Sequence, residues 1–197
     1  MKIPYLKTFF KIEAVEDIYL PYFKGSTFRG VFGNTFKKIV CALKSQVCND
    51  CLLKHNCVYA YIFETPPPLD KSLLNFSNYR TIPHPFVIEP PLDKKRYFKY
   101  GEELVFSVIL IGKARNYLPY FIYTFSECGK TGIGKGRGRF TLKEVYTENK
   151  KIYDNDGKNI IPPDGDIYEI KDDIDIANQN HKEEEITIEL LTPLRIK

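Results

Sequence analysis

The chain has 197 residues, 43% of them hydrophobic and 14% aromatic, which excludes the disordered and low-complexity classes and leaves room for one ordinary domain, or one domain and part of a second. Its 29 Lys and Arg against 25 Asp and Glu give a net charge of +4, too small by itself to identify a nucleic-acid binder. The distribution says more: residues 93–143 hold 11 Lys or Arg and four acids, whereas residues 164–189 hold ten acids and two Lys.

Tyr5, Leu6, Phe9, Phe10, Ile12 and Ala14 among Lys and Glu predict a strand over 5–14 with one buried face. After Ser26 or Thr27 as N-cap, the apolar positions Phe28, Val31, Phe32, Phe36, Ile39, Val40 and Leu43 recur at helical spacing and predict an amphipathic helix of about five turns. Periodicity then stops through a cysteine-bearing insertion at 41–83, which includes the proline-rich stretch 64–69. A short strand is expected at His84–Glu89 and a central one at 102–112 (EELVFSVILIG). Residues 114–126 predict a helix that must place Pro119 in its first turn or kink there, and Phe140–Tyr146 predicts a closing strand.

The order βα, insertion, ββαβ predicts an α+β, ferredoxin-like (split βαβ, RRM-like) domain over 1–147. Residues 148–185 read as a linker or hairpin with an acidic stretch. Residues 186–197 (ITIELLTPLRIK) open like a fresh strand, either the start of a second such domain or a partner of the first sheet.

The sharpest motif is GKTGIGKGRGRF at 129–140, five Gly interleaved with Lys130, Lys135, Arg137 and Arg139. Glycines let backbone amides approach a phosphate, and the cations neutralise it. The candidate RNA-binding residues are therefore Lys130, Gly132, Gly134, Lys135, Gly136, Arg137, Gly138 and Arg139, with Arg29 at the start of the first helix, where the helix dipole adds partial positive charge. A flexible basic turn is the alternative reading. No Lys-Ser or Lys-Thr closes the loop, and a strand follows it, so it is neither a phosphate-binding NTPase loop nor a dinucleotide fingerprint.

Neither a membrane-length apolar run nor a signal peptide is visible, so a cytoplasmic location without a membrane partner is expected. Thiols in that compartment stay reduced. Cys41, Cys48, Cys51 and Cys57, spaced C-x6-C-x2-C-x5-C, therefore read as a structural zinc or iron-sulfur site, with His55 as a substitute ligand for Cys41; unligated buried thiols are the alternative. Cys128 reads as a packing residue. His84 is the one catalytic candidate, against a structural His braced by prolines.

The segments LPYFKGSTFRGVFG at 20–33, CNDCLLKHNCVYAYIFE at 48–64, HPFVIEPP at 84–91, GIGKGRGRF at 132–140 and LTPLRIK at 191–197 together resemble the RAMP superfamily of CRISPR-associated proteins. The match is nearest to the repeat-processing endoribonuclease (Cas-six) branch that carries a cysteine-containing insertion. The resemblance implies a ferredoxin-like RNA-recognition domain, often one of two, whose glycine loop contacts CRISPR repeat RNA in antiviral defense. It also implies metal-independent cleavage by His, Tyr or Lys near the first helix, with no cofactor needed for catalysis. From Ser26 to Lys44 there is neither His nor Tyr, so no catalytic set is assigned. Repeat-RNA recognition with processing leads, followed by a non-catalytic guide-RNA-binding subunit of a CRISPR effector complex beside other CRISPR-associated proteins, and by a protein-interaction module built on the metal knuckle.

Overall fold

The computed structural model describes residues 3–44, 47–66, 82–157, 159–163 and 167–170. Strand β1 (Ile3–Ala14) alternates as its sequence demands: Leu6, Thr8, Phe10, Ile12 and Ala14 are buried, and the residues between them are half-exposed. A strand this long and apolar on one face takes the centre of the sheet. Strand β5 (Glu103–Ile111) pairs antiparallel with it from Tyr5↔Ile111 to Glu13↔Glu103, and β6 (Phe140–Tyr146) pairs antiparallel along its other edge. With β3 (Phe86–Glu89) outside β5 and β7 (Lys151–Asp154) outside β6, the order is β3-β5-β1-β6-β7.

Helices α1 (Gly25–Val40) and α2 (Leu118–Thr131) connect β1 to β3 and β5 to β6. In each unit a third strand lies antiparallel between the two that the helix joins. The protein is thus α+β with an antiparallel sheet, an arrangement compatible with the ferredoxin-like expectation. Phe28, Phe32 and Phe36, four residues apart on α1, are fully buried, and the Phe32 ring lies 4.6 Å from Phe121 and 4.8 Å from Phe125 of α2. Phenylalanine supplies the large core volumes in a chain without Trp, each burial being worth about 1.5–3 kcal/mol.

Several boundaries differ from the sequence expectation. Helix α1 begins at Gly25 rather than after a Ser26 or Thr27 cap, and no side chain caps it. Its first turn is set by Lys24, whose carbonyl accepts from the Phe28 amide at 3.1 Å and whose buried side chain donates to the Asp93 carbonyl at 2.7 Å. The expected helix at 114–126 is a 3-10 turn, Gly112–Tyr117, leading into α2 with Pro119 in the first turn. A two-residue ribbon, β2 (Ile18–Tyr19) with β4 (Tyr97–Phe98), forms a second sheet. Strand β7 and strand β8 (Tyr168–Ile170), both from the stretch read as linker or hairpin, join the main sheet at β6 and β1. Most of the acidic stretch, the strand expected at 186–197, and residues 45–46 and 67–81 of the cysteine insertion lie outside the described residues. Among the described residues no helix is long and apolar enough to cross a membrane.

Candidate functional site

The glycine loop leaves α2 through Gly132 and folds into a narrow hairpin. The Gly132 amide donates to the Cys128 carbonyl at 2.9 Å, Ile133 to Gly138 at 3.0 Å, Arg137 to Gly134 at 3.3 Å, and Lys135 across to Tyr19 of β2 at 2.9 Å. The Arg139 amide donates to the Glu16 carboxylate at 3.1 Å. The bare-amide cradle expected from the sequence is therefore only partly open, because these five amides are taken up by the chain itself. Those of Gly134, Gly136 and Gly138 have no protein partner among the described residues. A Cβ at Gly132 would collide with the Arg137 carbonyl, and one at Gly134 with the Tyr19 carbonyl, both at positive φ. Close approach to the protein's own backbone, not to a ligand, demands glycine at these two positions.

The cations divide in the same way. Lys130 pairs with Glu127 at 2.5 Å, and the Arg139 guanidinium pairs with Glu16 at 2.7 Å. The hydrogen bond from Arg139 holds the Glu16 carboxyl below its ordinary range. Lys135 and Arg137, at the exposed tip, form no ion pair with any described residue.

Between the loop and α1 lies a cleft of about 990 Å³. The α1 flank supplies Thr27, Asn34, Lys37 and Lys38, Lys44 follows the helix, and the loop supplies Arg137; no Asp or Glu lines it among the described residues. Four cations without an acid make the cleft attractive to a polyanion. The Lys37 ammonium donates to the Cys48 sulfur and lies 5.2 Å from the Tyr59 ring. In the sequence Lys24, Arg29, Lys37 and Lys38 read equally as a phosphate site around the first helix or as a solvated face; the run Thr27, Val31, Asn34, Lys38 at helical spacing puts one α1 flank, with Lys37, Lys38 and Lys44, in the cleft beside the loop. Beside Lys135, Tyr19 is partly exposed, with the Arg96 guanidinium 4.9 Å from its ring.

Arg29 is not part of this cleft. Its guanidinium lies over Phe63 and Phe86, 5.4 and 4.9 Å from their centroids, on the other flank of α1. There it neighbours His84, whose Nδ1–H donates to the Ile62 carbonyl at 3.2 Å. Partial burial, and then the charge of Arg29, push the imidazole below its ordinary pKa.

The Cys51 amide donates to the Cys48 carbonyl at 3.2 Å, placing these two residues in one turn. Burial pushes the Cys48 thiol up, opposed by the bond from Lys37. Cys41, Cys48, Cys51 and Cys57 are all free and partly exposed. No three His, Cys, Asp or Glu side chains among the described residues converge as a metal-holding group. The expected tetrathiolate stands on spacing alone. Cys128 is buried, its thiol donates to the Val31 carbonyl at 3.7 Å, and burial pushes it up to about 11.

The profile of a family described as AF_1859_N, an N-terminal domain, matches residues 3–165. An uncharacterized protein of Archaeoglobus fulgidus is 26% identical over 182 residues, 91% of this chain, and the chain spans only 57% of that relative. A chain in the crystal structure of the Csm3-Csm4 subcomplex of the type III-A CRISPR-Cas interference complex superposes with a TM-score of 0.43 at 15% identity, over 74% of this chain and 81% of that one. So loose a superposition carries no weight for function.

Proposed function

The chain belongs to the AF_1859_N family through residues 3–165, and we propose that it is a CRISPR-associated protein that binds single-stranded RNA between α1 and the glycine loop. The cleft, free of acids among the described residues and with Lys38, Lys44 and Arg137 facing one space, carries the reading. An RNA backbone in the cleft meets side-chain cations more than loop amides. At the loop tip Lys135 engages the next phosphate, while Tyr19, already stacked by Arg96, offers a face to a base. The sequence resemblance to the RAMP superfamily supports repeat or guide RNA as the natural strand and other CRISPR-associated proteins as its company.

Recognition without cleavage is the reading carried forward: among the described residues the cleft lining contains no His, Tyr or carboxylate to take a proton from a ribose 2′-OH, and of the residue types the resemblance implies for cleavage only Lys37, Lys38 and Lys44 are present, cations whose first use is to bind phosphate. The decisive experiment incubates the protein with single-stranded repeat RNA in EDTA and follows both anisotropy and product ends. Saturable binding with intact RNA is expected. Discrete 2′,3′-cyclic phosphate products would establish the processing endoribonuclease instead, and no binding at physiological salt would overturn the RNA reading altogether.

A further inference from the structure

Arg29 presents a charge that no described residue answers. Its side chain is half-buried against two aromatic rings, and burial lowers the guanidinium pKa. No carboxylate, carbonyl or hydroxyl among the described residues accepts from it. A partly desolvated cation without a partner is costly, and a protein normally relieves it with an acid. Here Glu64 is near enough to influence His84 electrostatically, yet forms no ion pair with Arg29.

The surroundings fix how the guanidinium presents itself. Phe63 and Phe86 lie 5.1 Å apart, and the guanidinium carbon lies near the faces of both. Contact with two rings limits where the fork of N–H donors can go, and that fork suits a two-point contact with an oxyanion. The ring of His84 lies 6.3 Å from Phe63 and 6.2 Å from Phe86, in the same cluster. Because Nδ1–H is committed to the Ile62 carbonyl, Nε2 is the atom left for a ligand. Gly33 leaves room for Phe63 to sit this close, since a Cβ there would press on its ring at 3.0 Å.

We propose that Arg29 and His84, on the flank of α1 opposite the cleft, form a second anion site that receives a phosphoryl group of the bound RNA. The proposal rests on the RNA reading and extends it: the strand crosses one helix, a width of about 10 Å, between the cleft and this site. The bound group is either an internal phosphodiester or a terminal phosphate monoester, two sources of the same tetrahedral oxyanion. Bound phosphate would favour the imidazolium and turn Nε2–H into a second donor.

The site is read first with inorganic phosphate. The Cε1–H resonance of His84, identified among the three His by its loss in His84→Gln, should shift saturably with phosphate and titrate at higher pH in its presence. Arg29→Met, which keeps the contact with the rings, should abolish that response. With RNA, Arg29→Met should weaken binding about tenfold, the order expected for a lost charge-assisted contact, and Arg29→Lys should fall between. A loss confined to oligonucleotides with a terminal phosphate assigns the monoester; an equal loss with hydroxyl-ended RNA assigns the diester. The site is refuted if His84 ignores phosphate and folded Arg29→Met binds RNA within about twofold of the parent. RNA affinity that collapses in Lys135→Ala/Arg137→Ala but survives Arg29→Met removes this site and leaves the cleft standing. A His84 response in a protein with no RNA affinity removes the cleft reading instead.

Discussion

The division of the loop cations into free and tied pairs can be tested by salt. Lys135→Ala/Arg137→Ala and Lys130→Ala/Arg139→Ala each remove two positive charges from the same twelve-residue segment, so their long-range effect is alike. Their local effect is not. Each phosphate contact to a single strand contributes roughly 0.7 to the slope of log affinity against log salt, so losing both tip contacts should flatten the slope by about 1.4. Between 50 and 200 mM salt, a fourfold change, the parent should lose about sevenfold more affinity than the tip variant. Lys130 and Arg139 are held by Glu127 and Glu16, and the Arg139 amide is anchored on the same Glu16 carboxylate. A surface ion pair is worth only about 0–1 kcal/mol, so some release to phosphate is allowed, and the slope of their variant should change by less than about 0.5. Fluorescence anisotropy of a labelled single-stranded RNA at three salt concentrations measures both. Equal flattening by the two variants, or none by the tip pair, would refute the reasoning.

Gly134→Ala should destabilise the fold by clearly more than Gly136→Ala, because a Cβ at Gly134 meets the Tyr19 carbonyl while Gly136 faces open space. Both carry the positive-φ penalty of about 1–2 kcal/mol, so Gly136→Ala alone should lower the melting temperature by roughly 2–8 °C. Cys128 should resist thiol reagents at pH 8 until the protein unfolds, whereas Cys41, Cys48, Cys51 and Cys57 in metal-free protein should label in the native state. Its folded thiol titrates near 11 against 9.0 ordinarily, so the unfolded chain ionises first and stability should fall as pH rises from 9 to 11, a loss absent in Cys128→Ala denaturation curves. Metal analysis with an absorption spectrum of anaerobically purified protein decides the cysteine segment: one zinc or one iron-sulfur cluster per chain establishes the knuckle, and metal-free protein with four reactive thiols overturns it.

The parts of the fold legible in the sequence are those whose pattern is local. Alternation gave β1 its buried face, the steps from Phe28 to Phe32 to Phe36 gave α1 its face, and Val105 to Ile111 could hardly be other than a strand. What escaped depends on distant partners. The start of α1 is set by a lysine buried against Asp93, 69 residues away, and a two-residue ribbon such as β2–β4 has no periodicity to detect. The same holds at the site. Lys130, Lys135, Arg137 and Arg139 look equivalent in the sequence, yet a carboxylate 123 positions from Arg139 takes that cation out of play. Arg29 joins the expected RNA-binding set through its place at the start of α1, where the helix dipole favours an anion; Phe63, from within the cysteine insertion, holds it on the flank away from the loop.

In the glycine loop, residue type alone leaves the chemistry open. Dense glycine signals close approach, but not of what to what. At Gly132 and Gly134 the approaching group is the chain's own carbonyl, and the outcome is a hairpin pinned to β2 through Lys135 and Tyr19. A loop so pinned presents Lys135 and Arg137 from a fixed base, which lowers the ordering entropy that binding must overcome. The glycines thus act on a polyanion indirectly, by placing two cations beside a stacked tyrosine. That separates two kinds of loss: Gly134→Ala should displace the tip cations, and so flatten the salt slope while also lowering the melting temperature, whereas Lys135→Ala/Arg137→Ala should flatten the slope while leaving the melting temperature unchanged. Were Gly134→Ala to weaken RNA binding with the slope at the parent value, the loss would lie in uncharged groups, the amides would be phosphate ligands, and the backbone cradle would stand.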